Sequence, residues 1–235
     1  MIRRALILAA GRGERMRPLT DHTPKPLLRV RGQRLIEWHL QALAAAGVRE
    51  VVVNTAWLEE QFEPALGDGA RWGVQLHWSR EGRDHGGALE TAGGIAKALP
   101  LLGEAFWVVS GDVFLPGFAF DATPAQAVVD GAHLAHLWMV PNAPHHPRGD
   151  FFLGGDGLLG TDNNIHTDNN SPRLTWASVG LFHRAMFERV PVGQRLALRP
   201  LLESAIAQHR LGGSRWGGAW TDVGTPERLA SLQEG

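Results

Sequence analysis

Leu8-Ala9-Ala10-Gly11-Arg12-Gly13-Glu14-Arg15-Met16-Arg17-Pro18-Leu19-Thr20, followed by Pro24-Lys25-Pro26-Leu27, is the most informative stretch of this chain. It continues directly from residues 3–8, an apolar run that reads as a short buried strand. Glycines after a strand let backbone N–H groups turn outward and approach a phosphate closely, forming an anion nest. Arg12, Arg15, Arg17 and Lys25 add cations suited to a polyphosphate, arginine as a fork and lysine as a point charge. Two better-known phosphate loops are excluded. The Rossmann pattern needs Gly or Ala where this chain has Met16, and a helix opening at once, which Arg17-Pro18 argues against. The Walker pattern needs Gly-Lys-Ser/Thr, which never occurs here. A lone Gly-x-Gly is more often a plain turn with solvated arginines. The full string with Pro-Lys-Pro at its distance is far more specific.

Outward from the loop, strand-like and helix-like segments alternate. Residues 34–46 carry Ile36, Leu40 and Leu43 at helical spacing, with Gly47 placed to stop the helix. Strands are predicted over 50–54, 73–78 and 106–109, and helices over 58–66 and 91–99, the latter broken by Pro100. That alternation implies α/β class: a Rossmann-like, mixed but mainly parallel sheet flanked by helices on both faces. In the second half, 133–140 and 174–183 read as strands, 141–149 as a loop, and 201–209 as a helix. A closing helix over 225–232 has Thr225 as its cap. Thr161-Asp162-Asn163-Asn164 recurs as Thr167-Asp168-Asn169-Asn170, read as a polar hairpin or excursion. No Pro/Ser linker divides the chain. One domain is expected over 1–235, with substrate-binding elements contributed by the second half.

Composition narrows the function. The chain has 235 residues, long enough to bury a proper core, and a formal net charge of -1. No strong field points to nucleic acid or to an acidic membrane surface. Cysteine is absent, so disulfides, thiolate nucleophiles and zinc–thiolate sites are excluded. The apolar run after Arg3-Arg4 ends at Gly11, too short for a signal peptide, and no stretch approaches the ~20 apolar residues of a membrane span. A cytoplasmic protein, monomeric or a small homo-oligomer, is expected.

The loop string resembles the signature of the sugar-1-phosphate nucleotidyltransferases. The resemblance continues through Ser110-Gly111-Asp112 and closes with Trp220-Thr221-Asp222-Val223-Gly224-Thr225-Pro226-Glu227, so it spans nearly the whole chain. It implies the nucleotide-diphospho-sugar transferase fold. It also implies transfer of a nucleotidyl group from a nucleoside triphosphate to a sugar 1-phosphate, with release of pyrophosphate. The runs Leu89-Glu90-Thr91-Ala92-Gly93-Gly94-Ile95 and His145-His146-Pro147-Arg148-Gly149-Asp150-Phe151 are most similar to N-acetylmuramate-1-phosphate uridylyltransferases of bacterial cell-wall recycling. UTP and N-acetylmuramate 1-phosphate are therefore the expected substrates.

The resemblance also implies roles. Asp112 and Asp222 would converge on one Mg²⁺. On local sequence alone, an Asp after Gly is more often a turn residue or a helix cap. Ala10, Gly11, Gly13, Glu14, Arg15, Lys25 and Ser110 would bind the nucleotide, with Arg15 neutralising the leaving group and Lys25 near the α-phosphate. Gly149 and Asp150 match a sugar-contacting position. Many relatives carry a further lysine for the sugar phosphate, but this chain has only Lys25 and Lys97. Lys97 is expected at the surface, which leaves Arg148 or Arg173 as candidates. Glu81-Gly82 and residues 91–94 fall near the base and ribose, and residues 83–88 are longer than expected. At residues 177–180 a Ser-Gly pair is expected, but Ser178 stands there with Val179. Adjacent His145 and His146 read as a loop rather than a metal pair.

Other members of the same fold are the first alternative: mannose- or heptose-phosphate guanylyltransferases, or glucose-1-phosphate uridylyl- and thymidylyltransferases. No hexapeptide repeat follows Asp222, which sets aside relatives with a C-terminal left-handed β-helix. A non-catalytic nucleotide-binding module is the second alternative, against which stands the presence of Lys25 and both carboxylates.

Overall fold

Alternation along one strand fixes the centre of the fold. In β1 (Arg4–Leu8), Ala5 and Ile7 enter one hydrophobic cluster and Leu6 enters another, all of them fully buried. The computed structural model describes residues 1–162 and 173–233. A short hairpin, β2 (Arg29–Val30) and β3 (Gln33–Arg34), leads into α1 (Leu35–Ala45) and β4 (Glu50–Thr55). Then come α2 (Phe62–Leu66), β5 (Gln75–Arg80), α3 (Glu81–His85), α4 (Glu90–Ala98) and β6 (Ala105–Ser110). The remainder adds β7 (Val113–Phe114), α5 (Gln126–Val129), β8 (Ala135–Val140), β9 (Phe151–Leu153) and β10 (Leu159–Gly160). It ends with β11 (Arg173–His183), α6 (Arg199–Ala207), β12 (Leu211–Arg215), β13 (Thr221–Asp222) and α7 (Pro226–Ser231).

Strands β5, β4, β1 and β6 lie side by side and parallel. Antiparallel β11 continues the sheet from β6, and β8 and β9 pair with β11. β12 runs parallel to β8, and β10 pairs with β9. The sheet is mixed, as expected. Its two faces read as period-two alternation: Val51, Val53, Trp107 and Val109 join Ile36, Leu40 and Leu43 of α1. Val52, Phe106 and Val108 join Ile95 of α4 and Leu202 and Ile206 of α6 on the other side. Helices therefore cover both faces. No helix among the described residues is long and apolar enough to cross a membrane.

Differences from the sequence expectation have local causes. The helix expected over 58–66 begins only at Phe62, after a 3₁₀ turn at Glu59–Gln61. Pro64 lacks an N–H and is tolerated only in a first turn, so a helix starting at Leu58 would place it in the interior. The strand expected from Gly73 starts at Gln75, because Gly73 sits at φ 76 and closes a 3₁₀ turn. Residues 83–88 fall on the short α3 and its glycine stop at Gly86, φ 74. Thr225 caps α7 as expected, its hydroxyl accepting from the Arg228 N–H at 3.4 Å. Of the paired Thr-Asp-Asn-Asn segments, residues 163–170 lie outside the described residues.

The second half is stitched to the first at α4. The Leu196 carbonyl accepts from the N–H groups of Ala92 (3.0 Å) and Gly93 (3.2 Å), two donors that the start of a helix leaves unpaired. A Cβ at residue 93 would collide with the Gln194 carbonyl oxygen. In an open helix Gly→Ala is favourable by about 1 kcal/mol. Here the backbone contact cannot yield, and overpacking of this kind costs about 1–3 kcal/mol. We expect Gly93→Ala to lower stability in urea unfolding despite its better helix propensity. A second expectation concerns His136 on β8, whose ring is buried and bonded to the Ser214 hydroxyl at 2.9 Å. Burial holds its pKa down to about 4. The folded state resists protonation, so stability present above pH ~6.5 falls as pH drops toward ~4, by about 3 kcal/mol at most. His136→Gln should flatten that part of the stability–pH curve.

Candidate active site

β1 is flanked by β4 on one side and β6 on the other, and the chain leaves it toward β4 before returning to add β6. Such a reversal opens a crevice at the carboxyl ends of the strands, where ligands bind in open α/β sheets. A cleft of about 620 Å³ lies there. Its walls come from the loop after β1, from Asn54 near the end of β4, from Glu81 after β5, and from Ser110 at the end of β6 with Asp112 just beyond it.

The loop from Leu8 to Met16 lines this cleft. Gly13 adopts φ 67, and only one 3₁₀ turn, Glu14–Met16, follows it in place of a long helix. The N–H groups of Gly11, Arg12 and Gly13 have no hydrogen-bond partner among the described residues. Three unpaired donors on one cleft-lining loop are what an anion nest requires. The cations sort themselves differently from the sequence expectation. Arg12 donates to the Thr20 carbonyl (2.9 Å) and to Asp21 (2.7 Å), and its guanidinium stacks 3.8 Å from the Trp57 ring centre. Arg17 also pairs with Asp21, at 2.9 Å. The Arg12 hydrogen bond, aided by Arg17, holds the Asp21 carboxyl below its ordinary range. Arg15 is exposed and has no partner among the described residues. Lys25 is buried, with its ammonium 2.7 Å from Asp112.

Below the loop lies a buried polar brace. Asn54 accepts from the Ala9 N–H (2.7 Å) and donates to Glu81 (2.7 Å). The other Glu81 oxygen accepts from the Leu89 N–H, also at 2.7 Å. Burial pushes the Glu81 carboxyl up, and those two hydrogen bonds oppose the push. A Cβ at Gly94 would come within 2.5 Å of Glu81, so the glycine leaves room for the brace. Three segments that line the cleft are thereby held at fixed spacing. Sequence reasoning missed Asn54. The available signal was a polar side chain ending the run Val51-Val52-Val53, at the carboxyl end of a parallel strand.

Asp112 and Asp222 are brought together by the antiparallel pair of β7 and β13, in which Asp222 lies opposite Val113. The Val223 N–H donates to the Asp112 carbonyl at 3.1 Å. Each carboxylate holds a cationic side chain: Lys25 on Asp112, and Arg228 on Asp222 at 2.9 Å. Two hard oxygen donors, one just before β7 and one on β13, match Mg²⁺, which takes one or two carboxylates and completes its shell with phosphate and water. Among the described residues no group of three His, Asp or Glu side chains forms a fuller cage.

The remaining sequence candidates lie outside the cleft lining. Asp150 receives the Trp176 N–H at 2.8 Å and sits 3.2 Å from His146, so both its oxygens have protein partners. Gly149, at φ 61, meets Asn142 and Leu174 so closely that a Cβ would lie 2.5 Å from the Asn142 oxygen. Arg148 is exposed. Arg173 bonds Asp162 at 2.8 Å and the Asp150 carbonyl at 3.3 Å. His145, in the loop as expected, comes within 3.7 Å of Asp222 and accepts from Arg228 at 2.9 Å. Lys97 departs from the surface position expected of it: its side chain is 12% exposed and pairs with Asp84. Ser178 adopts φ 59, within a bulge of β11 between Trp176 and Gly180.

Comparison with known proteins agrees with this geometry. Residues 4–149 match the family model described as nucleotidyl transferase. An N-acetylmuramate alpha-1-phosphate uridylyltransferase of Neisseria meningitidis is 48% identical over 232 residues, covering 98% of this chain and 96% of that relative. A protein of the same description from Caulobacter vibrioides is 33% identical over 239 residues, covering 95% and 92%. Among solved structures, a glucose-1-phosphate thymidylyltransferase from Bacillus anthracis in complex with sucrose superposes with a TM-score of 0.78 at 18% identity. It covers 98% of this chain and 94% of that one. HddC from Yersinia pseudotuberculosis, complexed with GMP-PN, gives 0.72 at 15% identity, covering 100% and 99%.

The brace makes a measurable claim. Asn54→Ala strands the Ala9 N–H and removes one donor from a buried carboxylate, a loss of about 3 kcal/mol. Urea unfolding should show that loss, together with weaker nucleotide binding. Unchanged nucleotide affinity would separate the brace from the site.

Proposed function

This chain belongs to the nucleotidyl transferase family, and we propose that it transfers a uridylyl group from UTP to N-acetylmuramate 1-phosphate, releasing pyrophosphate and using Mg²⁺. Nucleotidyl transfer to a sugar 1-phosphate goes with that membership. The choice of UTP and N-acetylmuramate is supported by the Neisseria and Caulobacter relatives, both matched over nearly their full length. One observation carries the mechanism. A single cleft holds three free backbone donors, the Lys25–Asp112 pair and, beside it on the neighbouring strand, Asp222.

A sugar phosphate has its second pKa near 6 and is mostly dianionic at neutral pH, so its oxygen attacks without a general base. What remains is to bring two anions together in line and to stabilise the departing pyrophosphate. The nest at Gly11, Arg12 and Gly13 receives triphosphate oxygens. Arg15, having no partner among the described residues, turns to the leaving group, and Glu14, Ala10 and Ser110 line the nucleotide pocket. Lys25 gives its charge to the α-phosphate, from a position that its contact with Asp112 already fixes. Asp112 and Asp222 would hold Mg²⁺, whose charge offsets that of the reacting phosphates. Residues 1–120 serve the nucleotide and 121–235 the sugar phosphate within one domain, with Gly149, Asp150 and Arg148 near the sugar. The reaction belongs in the cytoplasm, in cell-wall recycling, with small molecules as partners.

Pyrophosphate release, measured with five nucleoside triphosphates crossed against several sugar 1-phosphates, tests the substrates. UTP with N-acetylmuramate 1-phosphate should exceed every other pair in kcat/KM by at least about tenfold. A different preferred pair would keep the chemistry and replace the substrates. Asp112→Asn should cut Mg²⁺-dependent turnover by about 100- to 1000-fold while the protein stays folded. Near-normal turnover would overturn the metal assignment.

A further inference from the structure

Residues 191–198 carry no motif, yet their backbone is clasped onto the start of α4. Leu196 receives the Ala92 and Gly93 N–H groups, and its own N–H donates to Leu89 at 3.0 Å. One residue earlier, Arg195 lines the same cleft as Lys25 and Asp112, with its side chain 72% exposed. The backbone is fixed and the guanidinium is open. Its ion-pair partner is Glu90, at 3.5 Å, which lines the cleft too. Glu90 opens α4 at φ 59, a backbone state that suits glycine far better than a side-chain-bearing residue. An exposed pair at this distance adds little stability and does not offset such strain. Strain of this kind is kept where ligands bind.

The cleft-lining cations among the described residues are Arg12, Arg15, Lys25 and Arg195. The first three come from the nucleotide half, and Arg12 is committed to Asp21. Arg195 alone in this set comes from the second half. We propose that Arg195 binds an anionic group of the sugar substrate, with Glu90 steering the guanidinium toward the cleft before the ligand arrives. The inference rests on the sugar 1-phosphate reading above. It fills the place for which the sequence offered Arg148, which does not line the cleft, and Arg173, which is bonded to Asp162 and Asp150. A planar guanidinium makes two parallel bonds to either a phosphate or a carboxylate. N-acetylmuramate 1-phosphate carries both groups, and N-acetylglucosamine 1-phosphate carries only the phosphate.

The test measures KM for both sugar phosphates at saturating UTP, and UTP affinity by calorimetry without sugar, in wild type, Arg195→Ala, Arg195→Lys and Glu90→Gln. Arg195→Ala should raise the sugar-phosphate KM roughly 10- to 100-fold, leaving UTP affinity and the melting temperature unchanged. A rise with both sugars assigns the phosphate, and a rise with the N-acetylmuramate compound alone assigns the carboxylate. Arg195→Lys keeps the charge without the fork and should give a smaller rise, as should Glu90→Gln. Unchanged sugar KM in Arg195→Ala, or weakened UTP binding in its place, overturns the proposal. Should the alanine variant not fold, wild-type KM in both Arg195→Lys and Glu90→Gln overturns it equally. A wild type that uses neither sugar but another sugar 1-phosphate ends the N-acetylmuramate reading, and the same KM comparison with that sugar then decides Arg195.

Discussion

The buried contact between Asn54 and Glu81 is the constraint on which the site depends. A carboxylate inside a protein is costly unless its oxygens are bonded, and Glu81 meets that demand with Asn54 and the Leu89 N–H. In doing so it joins the ends of β4 and β5 to the start of α4, while Asn54 ties in Ala9, where the glycine loop departs. The loop can then leave its own N–H groups unpaired, because its position is set from below. Gly94 is small for the same reason: any side chain there would displace the carboxylate.

Above that floor, charge is divided between holding and binding. Four cations crowd the sequence from Arg12 to Lys25, and elementary electrostatics would send them all toward a polyphosphate. Asp21 removes two of them. Arg12 also lies over Trp57, where a cation gains from the ring face. Those contacts fix the outer turn of the loop and leave Arg15 and Lys25 as the loop cations that line the cleft without being held by Asp21. The two carboxylates behave in parallel fashion. Asp112 and Asp222 each hold a protein cation across a short ion pair, so neither charge is left uncompensated.

Two of the contacts between the halves of the chain border the cleft. One is the β7–β13 ribbon, which sets the carboxylates side by side over a separation of more than a hundred residues. The other is the clasp of residue 196 on the helix start at 92 and 93. Arg228 works within the second half, where one guanidinium nitrogen reaches the carbonyl and the carboxylate of Asp222 and the ring of His145. The loop expected to meet the sugar is thus mechanically coupled to the residue expected to meet the metal.

Much of this was legible in the amino-acid sequence, because it depends on neighbours along the chain. The short apolar runs of β1, β4 and β6, the helical spacing in α1, the glycine loop and the Thr225 cap are all local patterns. The α/β class follows from their alternation, and the signature strings led to Lys25, Asp112 and Asp222. What stayed hidden depends on contacts between distant segments. Nothing near Asp21 says that it will capture Arg12 and Arg17, and nothing near Arg195 says that a backbone clasp will set it at the cleft. Asn54 and Arg228 owe their places to Glu81 and Asp222, which lie on other elements. Local sequence determines which residues can bend, span or charge a segment. Only the packed tertiary structure decides which charges cancel one another and which remain for a ligand, because Coulombic and hydrogen-bond partners are chosen by distance in space.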